Sequence, residues 1–177
     1  MLLHESRSDS RTDDNGELIL LDQQDRSRWR SRDIQKGLAL LDKALHLRQA
    51  PGRYQLEASI AALHAEATDA ARTDWPQIAL LYRKLIDMDY SAVLHLNYAV
   101  AVAMTGSVTQ AMAELDVLAD RLSDYFPFYC VRADLHQRLG NPDACCRDFE
   151  TALTLTDNEA ERRFIQGRLE EQATQTP

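Results

Sequence analysis

Two glycines that lie 34 residues apart, Gly106 and Gly140, constrain the fold more than any other feature of this sequence. When they are aligned, their flanking segments come into register, with small residues opposite small ones and bulky residues opposite bulky ones. The matched pairs are Ala99 with Ala133, Ala111 with Cys145, and Leu115 with Phe149. Each glycine precedes a helix start signal, a capping box at Ser107–Gln110 and an N-cap before proline at Asn141–Pro142. Each glycine therefore marks a tight turn between two helices.

The order of small, bulky and turn residues in these segments is typical of a tetratricopeptide-like (TPR-like) repeat. Residues 126–159 carry the pattern best, and residues 92–125 carry it with Leu118 in place of the usual alanine. Small residues are needed because two antiparallel helices approach closely only where alanine, glycine or cysteine faces the partner. We predict an all-α fold of about eight or nine helices, in which TPR-like antiparallel helix pairs stack into a right-handed superhelix.

The rest of the chain continues this pattern less strictly. Helices are predicted at 34–47 and 51–67, and a capping box at Asp74–Gln77 opens another. The predicted domains are a segment 1–24 with a short helix and an extended turn, a TPR-like domain 25–172 that ends in a capping helix 158–172, and a disordered tail 173–177. In the capping helix we expect an inward face of Ala160, Phe164, Ile165 and Leu169, and a solvent face of Glu161, Arg162, Arg163, Arg168 and Glu170.

Charge and composition restrict the environment and the partners. The formal net charge is −8, from 28 acidic and 20 basic residues, and a chain of this charge is repelled by a phosphate backbone. We expect no direct DNA binding. No segment approaches the roughly 18 consecutive apolar residues of a membrane span, so we expect a cytoplasmic protein without membrane contact. The three cysteines include no CxxC pair, which favours reduced thiols used as small apolar residues.

A basic run, Arg26 to Arg32 around Trp29, has two interpretations. Acidic residues bracket the run at Asp22, Asp25 and Asp33 and neutralise most of its charge. The favoured interpretation is a solvated helix start in which Trp29 is a packing anchor and Arg26 and Arg30 share one helix face with acidic neighbours. The alternative is a nucleic-acid contact, in which the arginines pair with phosphates and the indole stacks on bases.

Catalytic and metal-binding patterns are not apparent. The sequence His64-Ala65-Glu66 is superficially like the H-x-E of zinc deaminases, but their downstream P-C-x-x-C is replaced by Pro142-Asp-Ala-Cys-Cys146. We expect both of those cysteines to face the core. The carboxylates fall on polar helix faces, where solvation is the usual role. We predict no enzymatic activity, no metal and no cofactor.

Several sequence blocks resemble the C-terminal extension of extracytoplasmic-function (ECF) RNA polymerase sigma factors. The blocks are 1–7, 11–13, 16–22, 24–26 with Trp29, 52–56, 58–66, 74–78, 96–103, 132–135 and 138–140. In those proteins the extension follows two helical domains that bind RNA polymerase and read promoter elements, and this sequence begins where the extension begins. The resemblance implies a separated regulatory module. The chain departs from the family at Arg28, Arg30 and Arg32, which leave a weak polymerase or DNA contact open, and at Cys145-Cys146, where alanines are usual.

The predicted function is therefore non-catalytic: a protein-interaction module that modulates transcription initiation through a concave helical-repeat surface. The expected partners are RNA polymerase core, the promoter-reading sigma domains or a regulator. The candidate groove residues are Val93, Leu96, Asn97, Val100, Met104, Cys130, Asp134, Gln137 and Arg138. Asn97 and Arg138 are the best contacts because an amide and a guanidinium both hold peptide groups or carboxylates, although each could instead bond within the array. A stand-alone TPR-like adaptor and a small-molecule sensor using the same groove stay open as alternatives.

Overall fold

The computed structural model describes residues 2–13, 16–47 and 50–175 and divides into two compact units, Met1–Tyr90 and Ser91–Pro177. These residues form nine α-helices, and their only β-pairing is an isolated bridge between Thr12 and Leu18. The predicted all-α class and helix number are confirmed. None of the helices in the described ranges is both long and apolar enough to cross a bilayer.

The first unit contains four helices. They are α1 (Leu2–Glu5), α2 (Ser31–Leu45), α3 (Arg53–Glu66) and α4 (Trp75–Met88). Asp74 caps α4 as its sequence predicts, because its carboxylate accepts the Gln77 N–H at 3.0 Å. The antiparallel neighbours α3 and α4 bury Leu56, Ile60, Ile78 and Leu85. These residues make up the apolar stripes that the helical periodicity predicts.

Helix α1 is a packing partner of α2 that the sequence did not reveal. Leu3 is 5% exposed and packs with Ala61 and Ala62 of α3. It lies so close to Gly37 of α2 that a Cβ at this glycine would be 2.7 Å from the Leu3 Cγ atom. Glycine at position 37 therefore allows the close approach of α1 to α2.

The predicted helix start around Trp29 is wrong, although Trp29 itself is 4% exposed and packs inside the unit. Residues Arg26–Arg28 form a 3₁₀ turn, and α2 begins only at Ser31, so Arg26 and Arg30 do not share a helix face. The Arg26 guanidinium donates to the His64 carbonyl at 2.7 Å and to the Ala67 carbonyl at 2.8 Å. These two hydrogen bonds connect Arg26 to the C-terminal end of α3, where helix carbonyls lack intrahelical partners.

The second unit contains α5 (Ala92–Met104), α6 (Val108–Asp116), α7 (Phe126–Arg138), α8 (Pro142–Thr154) and α9 (Glu159–Gln175). Gly106 and Gly140 have φ angles of +93° and +74°, so both turns use the left-handed conformation that the sequence predicts. The paired small and bulky residues are all buried: Ala99, Ala111, Leu115, Ala133, Cys145, Phe149 and Ala152. Ser107 and Asn141 occupy the N-cap positions, but neither side chain makes the predicted cap hydrogen bond.

Helix α9 makes more contacts with the rest of its unit than we expect of a terminal helix with a solvated outer face. Ile165 is fully buried and Ala160, Phe164 and Leu169 are partly buried, but three residues assigned to the solvent face make internal contacts. Arg162 donates to the Leu153 and Thr156 carbonyls, Glu161 accepts from the Thr156 hydroxyl, and Arg168 lies over the Phe149 ring. Residues 173–175 of the predicted tail are helical, and residues 176–177 lie outside the described part of the chain.

Candidate functional site

The predicted groove residues all lie in the second unit, on α5 and α7. Four of them follow one stripe of α5 in which Val93 is 40% exposed, while Asn97, Val100 and Met104 are partly exposed. Leu96 is only 3% exposed and belongs to the core, so it is not available to a partner. On α7, Cys130, Asp134 and Gln137 are partly exposed and Arg138 is exposed.

Side chains at equivalent repeat positions contact each other across the first helices of successive units. Arg138 of α7 lies against Met104 of α5, and its two Nη atoms are 3.6 and 3.7 Å from the Met104 sulfur. The two residues are 34 positions apart in the sequence, which is the length of one repeat. Arg168 of α9 lies 3.7 Å from the Asp134 carboxylate of α7, again at a separation of one repeat. These contacts show that α9 continues the series of α5 and α7. We call the side of the three helices that carries them the first-helix face.

A polar network at the centre of this face is organised by Asp134. Its carboxylate pairs with the Arg138 Nε at 2.8 Å, one turn along α7, and also with Arg168. Arg168 donates to the Gln137 side-chain carbonyl at 2.8 Å and pairs with Glu171 at 3.5 Å. Asp134, Gln137 and Arg138 therefore lie together in one network, and Arg168 joins them although we expected it on the solvent face of α9.

Two groups on the face keep hydrogen-bonding capacity for a partner. The Nε of Arg138 pairs with Asp134, but within the described part of the chain its Nη atoms contact only the Met104 thioether, which is a weak acceptor. The Arg138 side chain is 37% exposed, so these donors are accessible. The Asn97 side chain makes no hydrogen bond with any other described residue and is partly exposed. Asn97 and Arg138 thus lie on neighbouring helices with free donors.

Two side-chain contacts that the sequence did not predict fasten each first helix to the second helix of its pair. Glu114 of α6 lies 2.7 Å from the His95 Nε2, and the Asp148 carboxylate of α8 accepts from the Arg132 Nε at 2.8 Å. Asp148 is 5% exposed and also lies 3.7 Å from the His136 Nε2. Glu114 and Asp148 occupy equivalent repeat positions. Comparing acidic residues between the two aligned segments would have singled them out, whereas the expectation that all carboxylates lie on polar faces is wrong here.

The Arg132 guanidinium has further contacts that fix its position. It lies over the Phe128 ring, 5.0 Å from the centroid, and over the Tyr129 ring at 5.1 Å. Its hydrogen bond to Asp148 is the main cause that raises the pKa of the guanidinium. The pair is therefore a permanent charge contact inside the unit and does not present a charge to a partner.

The cysteines are placed for packing. Burial raises the pKa of Cys130 to about 12 and that of Cys145 to about 11, so both stay thiols at neutral pH. Cys145 is fully buried, but Cys146 is only partly so, which corrects the expectation that both face the core. His64 belongs to the other unit, and its ring packs edge-on against Trp75 at 5.1 Å. In the described residues, no three His, Cys, Asp or Glu side chains are grouped to hold a metal ion.

Comparison with known proteins gives one family match, one curated relative and one solved structure. Residues 1–45 match a family of unknown function, DUF6596. The chain is 39% identical over 175 residues to the uncharacterized protein R00370 of Rhizobium meliloti (strain 1021); the match covers 99% of this chain and 41% of that relative. The crystal structure of PcrH from Pseudomonas aeruginosa is similar with a TM-score of 0.57 and 20% identity, over 72% of this chain and 98% of PcrH. This likeness confirms the predicted TPR-like helical-repeat fold.

Proposed function

We propose that this chain is a non-catalytic protein-interaction module of an ECF-type sigma factor, which modulates transcription initiation by binding another polypeptide on the first-helix face. The observation that carries the proposal is the regular stacking of side chains on α5, α7 and α9. Repeats of this fold use their first helices to hold extended or helical segments of other proteins. The face combines apolar contacts with donors that have no strong partner of their own.

The sigma-factor part of the proposal rests on sequence. The segment that matches DUF6596, residues 1–45, contains four of the blocks that resemble the sigma-factor extension, and this family is often found in the C-terminal regions of sigma factors. The chain spans less than half of its curated relative, 41% of the length. A module that accompanies other sequence in a longer protein is what a sigma-factor extension requires.

The contact chemistry on this face suits a peptide segment with a carboxylate. The two Nη atoms of Arg138 can form a bidentate pair with a carboxylate in place of the weak bonds to Met104. The Asn97 amide can both donate to and accept from a peptide group. Val93 and Val100 supply apolar contact area beside them. The proposed partners are RNA polymerase core, the promoter-reading sigma domains or a regulator.

A stand-alone adaptor is a second candidate with the same face and without the link to transcription. The observation that favours it is the similarity to PcrH, which covers 98% of that chain and shows that such repeats can make up nearly all of a protein chain. The two candidates differ in the identity of the partner and share the binding chemistry.

A pull-down experiment tests both the partner and the face. The immobilised 177-residue chain is presented with RNA polymerase core and, separately, with ECF promoter-reading sigma domains. We expect the parent to retain at least one of them, and Asn97→Ala and Arg138→Ala to retain much less. Arg147→Ala, which removes an exposed arginine from α8, is the matched control and should behave as the parent.

The outcomes separate the parts of the proposal. Equal retention by the parent, Asn97→Ala and Arg138→Ala would show that the face is assigned wrongly. If the parent retains neither polymerase core nor sigma domains, the sigma-factor role is wrong and the adaptor is favoured.

A further inference from the structure

The exposed side of α2 in the first unit carries an unusual row of side chains. Arg32, Lys36, Leu40 and Lys43 follow each other at helical spacing and are all exposed, with Leu40 at 52%. We call this row the α2 stripe. The chain has only three lysines, and two of them lie here. The stripe therefore concentrates positive charge in a chain whose net charge is −8.

The three cations of the α2 stripe have no carboxylate within 4.0 Å among the described residues. The acidic residues on the same helix contact other groups: Asp33 pairs with Arg30 at 3.5 Å, and the Asp42 carboxylate lies 3.5 Å from the His46 Nδ1. Most other arginines of this unit are paired or donate to carbonyls, as Arg26 and Arg53 do. The stripe thus presents uncompensated positive charge to solvent, and the charge can be neutralised by a partner.

An apolar pocket adjoins the stripe. It lies between α1, α2 and α3, has a volume of about 320 Å³, and is lined by Leu2, Leu3, Leu40, Leu41, Ala44 and Tyr54 among others. Tyr54 on its far side is 76% exposed, and Leu40 belongs to both the pocket and the stripe. The volume is at the lower end of the range for ligand pockets, roughly 300–1,000 Å³. It suits one or two large apolar side chains of a polypeptide.

We propose that the α2 stripe and this pocket together bind an acidic amphipathic helix of a partner protein. The partner would place leucine or phenylalanine side chains in the pocket and carboxylates beside Arg32, Lys36 and Lys43. The cations recur along α2 at the spacing of one helix face. Carboxylates on one face of a second helix recur at the same spacing, so several ion pairs form at once. A phosphate backbone is disfavoured as occupant because it has no apolar side chains to fill the adjoining pocket. The inference is independent of the first-helix face and of the sigma-factor role.

A designed peptide of the same length as α2 tests the proposal in solution. It is fluorescein-labelled, with leucines on one helical face and glutamates elsewhere, and its matched control has every glutamate replaced by lysine. Fluorescence anisotropy follows the titration of each peptide with the full chain at low and at high salt. We expect saturable binding of the acidic peptide that weakens with salt, and no binding of the basic peptide.

Variants locate the binding site. The double variant Lys36→Glu/Lys43→Glu should weaken binding of the acidic peptide roughly tenfold, because it replaces two attractive charge pairs with two repulsive ones. Lys84→Glu changes the third lysine, exposed on α4, and is the matched control that should bind as the parent. Ala44→Phe fills the pocket without changing charge and should also weaken binding. Unchanged far-UV circular dichroism verifies that each variant is folded.

Four results would overturn the proposal. The first is absence of saturable binding by the acidic peptide, and the second is equal binding of the basic peptide. The third is equal loss of affinity in Lys84→Glu and in the double variant. The fourth is a dimer of the parent, seen by light scattering and abolished by Lys36→Glu/Lys43→Glu, because the occupant would then be a second copy of this chain.

Discussion

The two units of this protein use the same kind of helix pair but hold it together by different means. In the second unit, side chains at equivalent positions of successive repeats contact each other, and the carboxylates of Glu114 and Asp148 fasten the paired helices. In the first unit, Arg26 donates to main-chain carbonyls, and Arg30 donates to the Glu5 carbonyl. The contacts of the second unit therefore recur from one repeat to the next, whereas the first unit is stabilised by individual long-range hydrogen bonds of its arginines.

The difference also affects the surface of each unit. The repeat leaves the second unit with a mixed polar face in which opposite charges are largely paired. The first unit leaves Leu40 and Tyr54 exposed at an open pocket, and Leu45 and Leu47 are also each at least 50% exposed. Exposed apolar groups of this kind mark contact surfaces on soluble proteins. The comparison indicates that the two units offer chemically distinct surfaces to partners.

The largest expected effect is on the buried carboxylate of the second unit. Asp148→Ala should lower the free energy of unfolding by about 3 kcal/mol, because it leaves the mostly buried Arg132 without its counter-ion. The equivalent change Glu114→Ala should cost only about 1 kcal/mol, because 25% of the Glu114 side chain is exposed to water, against 7% for Asp148. Urea denaturation followed by circular dichroism measures both. Equal losses of stability in the two variants would contradict the expectation that the Arg132–Asp148 pair contributes more than the His95–Glu114 contact.

A pH titration tests the first unit alone. Burial lowers the pKa of His64 from 6.5 to about 4, so the folded unit keeps the imidazole neutral while the unfolded chain protonates it near pH 6.5. The stabilisation is complete above pH 6.5 and is lost as the pH falls towards 4; about 2 kcal/mol should disappear between pH 7 and pH 5. Both tryptophans, Trp29 and Trp75, belong to this unit, so indole fluorescence reports its unfolding.

The control for this titration is His64→Phe, which keeps a ring against Trp75 but cannot be protonated. Its stability should vary much less between pH 7 and pH 5. If the parent and His64→Phe lose stability equally over this range, His64 is not the titrating group.

The smallest effects concern two helix-interior glycines, one in each unit. Gly37→Ala should destabilise by about 1 kcal/mol, because the new Cβ would be 2.7 Å from Leu3 and α1 must move. Gly167→Ala should stabilise by up to about 1 kcal/mol, because nothing lies within 4 Å of the added atom and alanine favours the helix. Thermal unfolding of the two variants gives the signs. Stabilisation by both would show that α1 is not closely packed on α2.

The sequence predicts the second unit better than the first, and the reason is physical. The turns at Gly106 and Gly140 and the paired core residues depend on local spacing, which repetition displays twice. The role of Arg26 depends on acceptors 38 and 41 residues away, which no local pattern reveals. Of the candidate site, Asp134, Gln137 and Arg138 are found together, but Leu96 faces the core and Arg168 joins from α9.

Hydrogen–deuterium exchange of the chain with and without a retained partner tests the central claim, that polypeptides bind on the first-helix face. We expect slower exchange in α5, α7 and α9 of the bound chain, and loss of this protection in Arg138→Ala. Protection confined to α6 and α8, or exchange that is unchanged over α5, α7 and α9 while the partner is bound, would contradict it.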